Sequence, residues 1–345
     1  MVKNLLKKLI EIPSVSGEEQ KIAKFVFDYL KNNGLKPKLL SGNNLYCEFG
    51  KGNKTLLLNS HLDTVPPSSS WTINPFKTKE KNGKIYGLGA ADTKSSLAAM
   101  TEAIIYLKNS KKIPKGKIIF TATTEEEVGM KGMEKLVKKL PKFDAAIIGE
   151  PTSLNICIAQ KGALCLKFIA KSKGGHAALG GENAIYKGIE DIKLLQKLKF
   201  KKRHSLLNRP SIQITIMNAG HKINVIPSKC EFLADIRSTP VYSNNYLINL
   251  IRKRVKSDVE ILSNRLFPKE TNVNEEIVQV AKSVNKFAKI TGFPAMSEFN
   301  FINKPGIILG PGDFNQAHIA DEFVRISQLE KATEIYQKII ENFLE

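Results

Sequence analysis

Histidine is scarce in this chain, with five among 345 residues: His61, His176, His204, His221 and His318. Cysteine is scarcer still. Cys47, Cys157, Cys165 and Cys230 include no C-x-x-C pair, which excludes a zinc ribbon and argues against a disulfide framework. Their simplest reading is as buried, reduced thiols in a cytosolic protein. No stretch approaches the ~18 apolar residues of a membrane-spanning helix. The N-terminal segment MVKNLLKKLIEIPSVSGEEQ has too short an apolar core for a signal peptide, and its Leu5, Leu6, Leu9 and Ile10 recur at helical spacing. A cytoplasmic location is expected. Internal repeats and low-complexity tracts are also missing. A composition of 42% hydrophobic and 25% charged residues excludes disordered and fibrous classes.

What is present is alternation. Helical patterns at about 3–10, 20–33, 94–109 and 130–139 are interleaved with the apolar runs Thr55–Leu58, Lys117–Thr121 and Ala145–Ile148. Continuous apolar runs are the mark of strands buried on both faces. An α/β layer with a mostly parallel sheet and helices on both faces is therefore expected. The texture changes near Lys161. A strand at Gly162–Ala170 and a helix at Asn183–Lys199 come first. The half-buried strands Ser211–Met217 and Cys230–Ile236, a helix at Tyr246–Val255 and a strand at Val259–Leu262 complete a β-α-β-β-α-β order. That order predicts an inserted ferredoxin-like α+β lid over 161–262 within a main domain of 1–160 and 263–345. The main domain resumes with helices near 274–291 and 328–343.

Acidic residues are in deficit, 33 against 53 basic ones, for a net charge of +20. The insert holds most of the excess: residues 161–262 carry 19 basic and 7 acidic residues, a net of +12. The densest run is Lys197, Lys199, Lys201, Lys202, Arg203 and Arg209. A solvated surface and a site for an acidic partner both fit this run. With neither a nucleic-acid module nor an aromatic stacking pattern, no nucleic acid and no membrane is expected as partner.

Chemistry concentrates at strand ends. In TLLLNSHLDTVPP an apolar strand ends at His61, and period two puts Asp63 on the same side. An imidazole ligand steadied by a carboxylate has this spacing. In YGLGAADTKSS, Gly87 and Gly89 allow a tight loop that closes on Asp92, either a helix cap or a carboxylate shared by two cations. In KIIFTATTEEEVG a strand runs into Glu125, Glu126 and Glu127, like charges that repel unless cations neutralise them. Glu150 follows a buried run in AAIIGEPTS, and His318 lies in the Gly-rich GPGDFNQAHIADEF. Together these positions offer nitrogen and oxygen donors for two metals.

In this combination the chain resembles the dinuclear zinc aminoacylase and carboxypeptidase family, which includes acetylornithine deacetylase and succinyl-diaminopimelate desuccinylase. Matching motifs run from IEIPSVSG to His318. The resemblance implies two divalent cations, zinc first and cobalt as an alternative. It implies that His61, Asp92, Glu127, Glu150 and His318 are ligands, with Asp92 bridging, Glu150 on the metal of His61, and His318 on the metal of Glu127. Asp63 would orient His61 and Glu126 would act as general base. In the lid, His176 would reach the active site of a partner subunit and stabilise the oxyanion, while Asn224 and Arg237 grip substrate; a homodimer through the lid follows. His204 and His221 match nothing in the family. Relatives often carry GRG-x-x-D-M-K-G, so Leu88, Thr93 and Ser95 depart from the pattern, as does MSEFNFI with Ser297 and Glu298 where threonine-serine-aspartate is frequent.

Within the family the chain looks closest to short hydrolases that release lysine or ornithine from the terminal glutamate side chain of an acidic amino-group carrier protein. The basic lid would steer such a carrier to the cleft. The alternative is a deacetylase or desuccinylase of free N-acyl amino acids.

Overall fold

Of four parallel strands the apolar runs foretell three, and Gly306–Ile308 is the fourth. In a computed structural model describing residues 1–110 and 115–345, a first unit comprises Met1–Ile158, Thr271–Thr291 and Ser297–Glu345. It runs through α1 (Val2–Ile10), α2 (Gln20–Asn32), β1 (Lys38–Leu40), β2 (Asn44–Gly50), β3 (Thr55–His61), α3 (Lys94–Asn109), β4 (Lys117–Thr123), α4 (Lys131–Leu136), β5 (Ala145–Ile148) and β6 (Ile156–Gln160). After the insert come α7 (Glu276–Val284), β11 (Gly306–Ile308) and α8 (Ile326–Leu344). The sheet order is β1-β2-β4-β3-β5-β11-β6. The central pairs β4/β3, β3/β5 and β5/β11 are parallel, whereas β1, β2 and β6 pair antiparallel.

Every residue of β3 and β5 is buried, which is why both strands read as unbroken apolar runs. Helix α3 is buried from Lys94 to Ile105. It packs against α1 and α8, so its Ala-rich sequence needs no polar face. Each fully buried side chain such as Leu97, Met100 or Ile104 contributes about 1.5–3 kcal/mol of transfer free energy. Parallel pairing delivers the C-terminal ends of β3, β4, β5 and β11 to one edge of the sheet, where α/β folds place their ligands.

The second unit comprises Ala159–Glu270 and Gly292–Met296. Its elements are β7 (Gly162–Lys171), α5 (Ala184–Gln196), β8 (Ser211–Ala219), β9 (Lys229–Ser238), α6 (Asn244–Arg252) and β10 (Asp258–Leu266). The four strands pair antiparallel in the order β8-β9-β7-β10, the ferredoxin-like arrangement. Alternate residues Leu164, Leu166 and Phe168 of β7 meet Phe232, Ala234 and Ile236 of β9 in one core, which α6 closes with Leu247, Ile248 and Ile251. Phe168 and Phe232 stack with ring centroids 4.6 Å apart.

One helix is shorter than its sequence pattern. The expected helix at 274–291 stops at Val284, and Ile290–Phe293 is a strand. Lys282 Nζ donates to the carbonyls of Lys286 and Ala288, and Asn285 Nδ2 to that of Leu154, so the chain leaves helical geometry for these partners.

Candidate metal centre

Strand β3 ends at His61, which is 1% exposed. Its Nδ1 bonds the backbone carbonyl of Asp63 at 2.9 Å, which leaves Nε2 to face Asp92 Oδ1 at 3.2 Å. A neutral imidazole held this way has its Nε2 lone pair free for a cation. The carboxylate of Asp63 stands 3.5 Å from Nδ1 and does other work. It accepts the N–H groups of Glu126 and Glu127, each at 3.1 Å, and the Ser16 hydroxyl at 2.6 Å. Asp63 therefore orients His61 through its main chain and fastens the glutamate turn through its side chain. Burial would raise the Asp63 carboxyl, but His61, helped by the Ser16 hydroxyl and the Glu127 N–H, holds it below the usual carboxylate range.

The glutamate turn starts where β4 ends. Glu125 adopts φ +58°, a left-handed conformation uncommon for a side chain of this size, and its N–H donates to Glu19 Oε1 at 3.0 Å. That bend re-aims the two residues after it. Glu127 Oε1 lies 3.0 Å from His318 Nε2, and the same nitrogen is 3.5 Å from Asp92 Oδ2. His318 also sits at positive φ, +62°. Asp92 thus turns one oxygen toward each histidine, the arrangement of a carboxylate that bridges two cations.

Ligand atoms of His61, Asp92 and Glu127 lie within 4.8 Å of one another. Glu150, at 4% exposure, is outside that compact triple but close enough for His61 and Asp92 to act on its charge. Burial pushes the carboxyls of Glu126 and Glu150 well above their ordinary range; neighbouring carboxylates add to the rise and His61 opposes it. Packing so many acids in a dry site is costly, and divalent cations would offset that cost. The donor set is imidazole and carboxylate with no thiolate, which suits zinc or cobalt. The residues present fit two such ions.

Two buried charges, Glu322 and Lys94, escaped the sequence reading, and a third, Glu298, was noted there only as a departure from the family pattern. Glu322, four residues beyond His318, is 1% exposed. Its Oε1 accepts the N–H groups of Ala91 at 2.6 Å and Asp92 at 2.8 Å, and its Oε2 that of Gly89 at 2.8 Å. Its own carbonyl accepts from Gly87 at 3.0 Å. One carboxyl therefore ties the segment that presents His318 to the loop that presents Asp92. Burial pushes it up to about 8 against the pull of those N–H groups. Gly89 must be glycine here: φ is +81°, and a Cβ would meet Lys94 Cδ and Thr64 Cγ2 at 3.0 Å. Lys94 is fully buried, donates to the carbonyls of Leu9 and Ile12, and is lowered to about 7 by burial. Glu298 lies behind the site, where Asn59 and Thr123 both donate to its Oε2; burial pushes it up to about 7. The available signal was an acid within a few residues of a ligand or matched motif, as in HIADEF and MSEFNF.

The residues assigned to the lid lie in the second unit. Gly175 and His176 pair with Val225 and Ile226, and the Asn224 carbonyl accepts from Ala177 at 3.0 Å, so His176 and Asn224 share an exposed corner. His176 Nδ1 accepts the Ala178 N–H at 3.1 Å, which leaves Nε2–H as an outward donor. Arg237, near the end of β9, is engaged by Asp235 at 2.7 and 3.0 Å. His204 is buried, with Nδ1 accepting from Leu206 and Leu207 and Nε2 3.2 Å from Glu270, a structural role.

A nitrogen–oxygen site for two cations at the carboxyl edge of a parallel sheet, with a spare glutamate beside it, defines a metal-dependent hydrolase of amide bonds. Residues 57–342 match the model of peptidase family M20/M25/M40, and the chain belongs to that family. It is 31% identical over 371 residues to acetylornithine deacetylase of Buchnera aphidicola subsp. Schizaphis graminum, covering 98% of this chain and 97% of that protein. It is 26% identical over 393 residues to a probable succinyl-diaminopimelate desuccinylase of Staphylococcus epidermidis, covering 99% and 97%. Among solved structures, a tripeptidase from Staphylococcus aureus superposes with a TM-score of 0.84 at 22% identity, over 99% of this chain and 98% of that one. A dinuclear metal-binding M20 peptidase of Bacillus subtilis does so with a TM-score of 0.76 at 16% identity, over 99% and 97%. Among the described residues no helix is long and apolar enough to cross a membrane.

Proposed function

We propose that this protein deacylates small N-acyl amino acids of the acetylornithine or succinyl-diaminopimelate kind, using two zinc or cobalt ions. The observation that carries the two-ion site is Asp92, with one oxygen toward His61 and the other toward His318. Full-length relatives bearing those two names shift the balance away from the carrier-borne substrate expected above. His61, Asp92, Glu127, Glu150 and His318 would hold the ions. The ions, when bound, supply Lewis acidity and lower the pKa of water toward neutrality. Glu126, buried beside the ligands, takes a proton from the attacking water and returns it to the leaving amine. Asp63 keeps Glu126 in place through its backbone N–H. His176 would donate its exposed Nε2–H to the oxyanion, a contribution of about 2.7–4 kcal/mol for donors of this kind. Arg237 would turn its guanidinium to the substrate carboxylate while Asp235 steadies it. Copies associating through the second unit would supply His176 across subunits; exposed Ile216 and Met217 on edge strand β8 favour that association.

A second reading keeps the acidic carrier polypeptide as the bearer of the acyl group, and the net +12 of residues 161–262 favours it. Turnover of N-acetylornithine, N-succinyl-diaminopimelate and a carrier-linked glutamyl-lysine by zinc-loaded protein tests both. The proposal expects the two small amides to be cut at rates that barely change with salt. Cleavage confined to the carrier substrate would overturn it.

A further inference from the structure

A second concave feature lies wholly within the second unit, in elements that supply none of the metal ligands. It is a groove of about 770 Å³ lined by the segment after α5, by residues 240–243, and by Tyr246, Leu250 and Arg254 along and just beyond α6. Lys197, Lys199, Lys201 and Lys202 line one wall and Arg254 another. Among the described residues none of these five has a carboxylate partner, whereas Lys167, Lys171 and Lys187 of the same unit all do. The densest basic run of the sequence is thus left without counter-charge.

The run is also ordered. Leu198 and Phe200 pack against the core, which turns Lys199 and Lys201 outward, while Lys197 is exposed on the last helical turn of α5. The Lys202 N–H donates to Tyr242 Oη at 2.8 Å and Arg209 Nε to the Phe200 carbonyl at 2.9 Å, pinning the segment. Alternate residues of an extended chain repeat at roughly 6.6 Å. Lys199 and Lys201 are two residues apart, so a partner strand with carboxylates at every second residue can meet both. We propose that this groove binds an extended acidic polypeptide segment, its alternate carboxylates meeting Lys199 and Lys201 and a further one meeting Lys197.

Other anions fit less well. Nucleic acid wants free aromatic faces. Here Phe200 meets Tyr242 edge-on at 5.3 Å, and Tyr246, tilted on Tyr242 at 5.4 Å, is the one half-exposed ring lining the groove, too few for successive bases to stack on. Four of the five cations are lysines rather than the arginines that grip phosphate in two-pronged fashion. A membrane surface suits a flat or convex amphipathic face, not a groove. A second copy of this chain, at net +20, is poor in the carboxylates this wall calls for, and the association proposed above uses edge strand β8 instead. The inference rests on the second reading above only for the purpose of docking; the docking is tested by itself.

The test is fluorescence anisotropy of the full chain with a labelled twelve-residue peptide carrying glutamate at alternate positions. Binding is expected at low salt and should weaken roughly tenfold or more between 50 and 200 mM salt. The triple variant K197E/K199E/K201E should abolish it, and the milder pair K199Q/R254Q should weaken it several-fold, both with unchanged hydrolysis of N-acetylornithine. A peptide of equal composition with its glutamates in one block should bind less well. Wild-type affinity in both variants, equal affinity for the blocked peptide, or stronger binding of a single-stranded oligonucleotide or anionic vesicles would each overturn the proposal. Failure to hydrolyse small amides would count against the enzymatic reading and leave this binding result untouched.

Discussion

Replacing Glu322 by alanine removes the acceptor of three backbone N–H groups on the loop that carries Asp92. A buried donor left without a partner costs about 1–3 kcal/mol. Three of them, after partial relaxation, should destabilise the first unit by roughly 3–6 kcal/mol. For a unit of this size 1 kcal/mol lowers Tm by about 2–4 °C, so a fall of roughly 6–24 °C is expected. Glu322→Gln is the gentler test. Its amide oxygen can still accept from Ala91 and Asp92, while its NH2 confronts the Gly89 N–H, for a loss of roughly 1–3 kcal/mol. Because the same carboxyl ties the Asp92 loop to the His318 segment, zinc affinity should drop about 10- to 100-fold in the Gln variant. The assays are thermal unfolding of the metal-free protein and competition with a chromophoric zinc chelator. If both variants unfold within about 1 kcal/mol of wild type and hold zinc equally tightly, the tethering argument is wrong.

Four further outcomes are expected. Glu126→Gln should bind wild-type amounts of zinc yet lose at least about 100-fold in kcat, since proton transfer of this kind contributes that much or more; activity near wild type would remove Glu126 from its role. Asp63→Asn should keep His61 oriented, because the Asp63 carbonyl is untouched, but should loosen the Glu126–Glu127 turn. Its signature is a lower kcat with metal retained, and loss of metal without loss of kcat per bound ion would contradict it. In metal-free protein, Glu298 and Glu322 keep protons up to about 7 and about 8 that the unfolded chain releases near 4.5. Their contribution to stability is therefore full below about 4.5 and declines as pH rises toward 8, which Tm measured from pH 5 to 8 should follow. Zinc binding must displace protons from the raised carboxyls, so zinc affinity should climb over the same range, measured by calorimetry in buffers of different ionisation enthalpy.

The legible part of this protein is the part where burial and pattern coincide. β3, β4 and β5 stand out because strands covered on both faces carry unbroken apolar runs. The insert stands out because β7 and β9 alternate about a single core. His61, Glu126, Glu127 and Glu150 follow from this, since they sit at or just after strand ends. The β-strand at Ile290–Phe293 was hidden within a helical pattern that only tertiary partners of Lys282 and Asn285 interrupt. That the Asp63 side chain also holds Glu126 and Glu127 was not legible, because spacing shows neighbours along the chain, whereas those two come to it through folding. Lys94 and Glu322 were missed, and the burial of Glu298 with them, for a related reason. A charged residue in a polar stretch reads as solvated, and its burial depends on contacts distant in sequence.

The two-cation site is tested most directly by metal stoichiometry. Zinc bound per chain, measured by elemental analysis after reconstitution and gel filtration, should be two for the wild-type protein. It should fall to one or fewer for Asp92→Ala, which removes both oxygens that the proposal has shared between the ions. A single zinc in the wild type, or two retained by Asp92→Ala, would contradict the shared-carboxylate site.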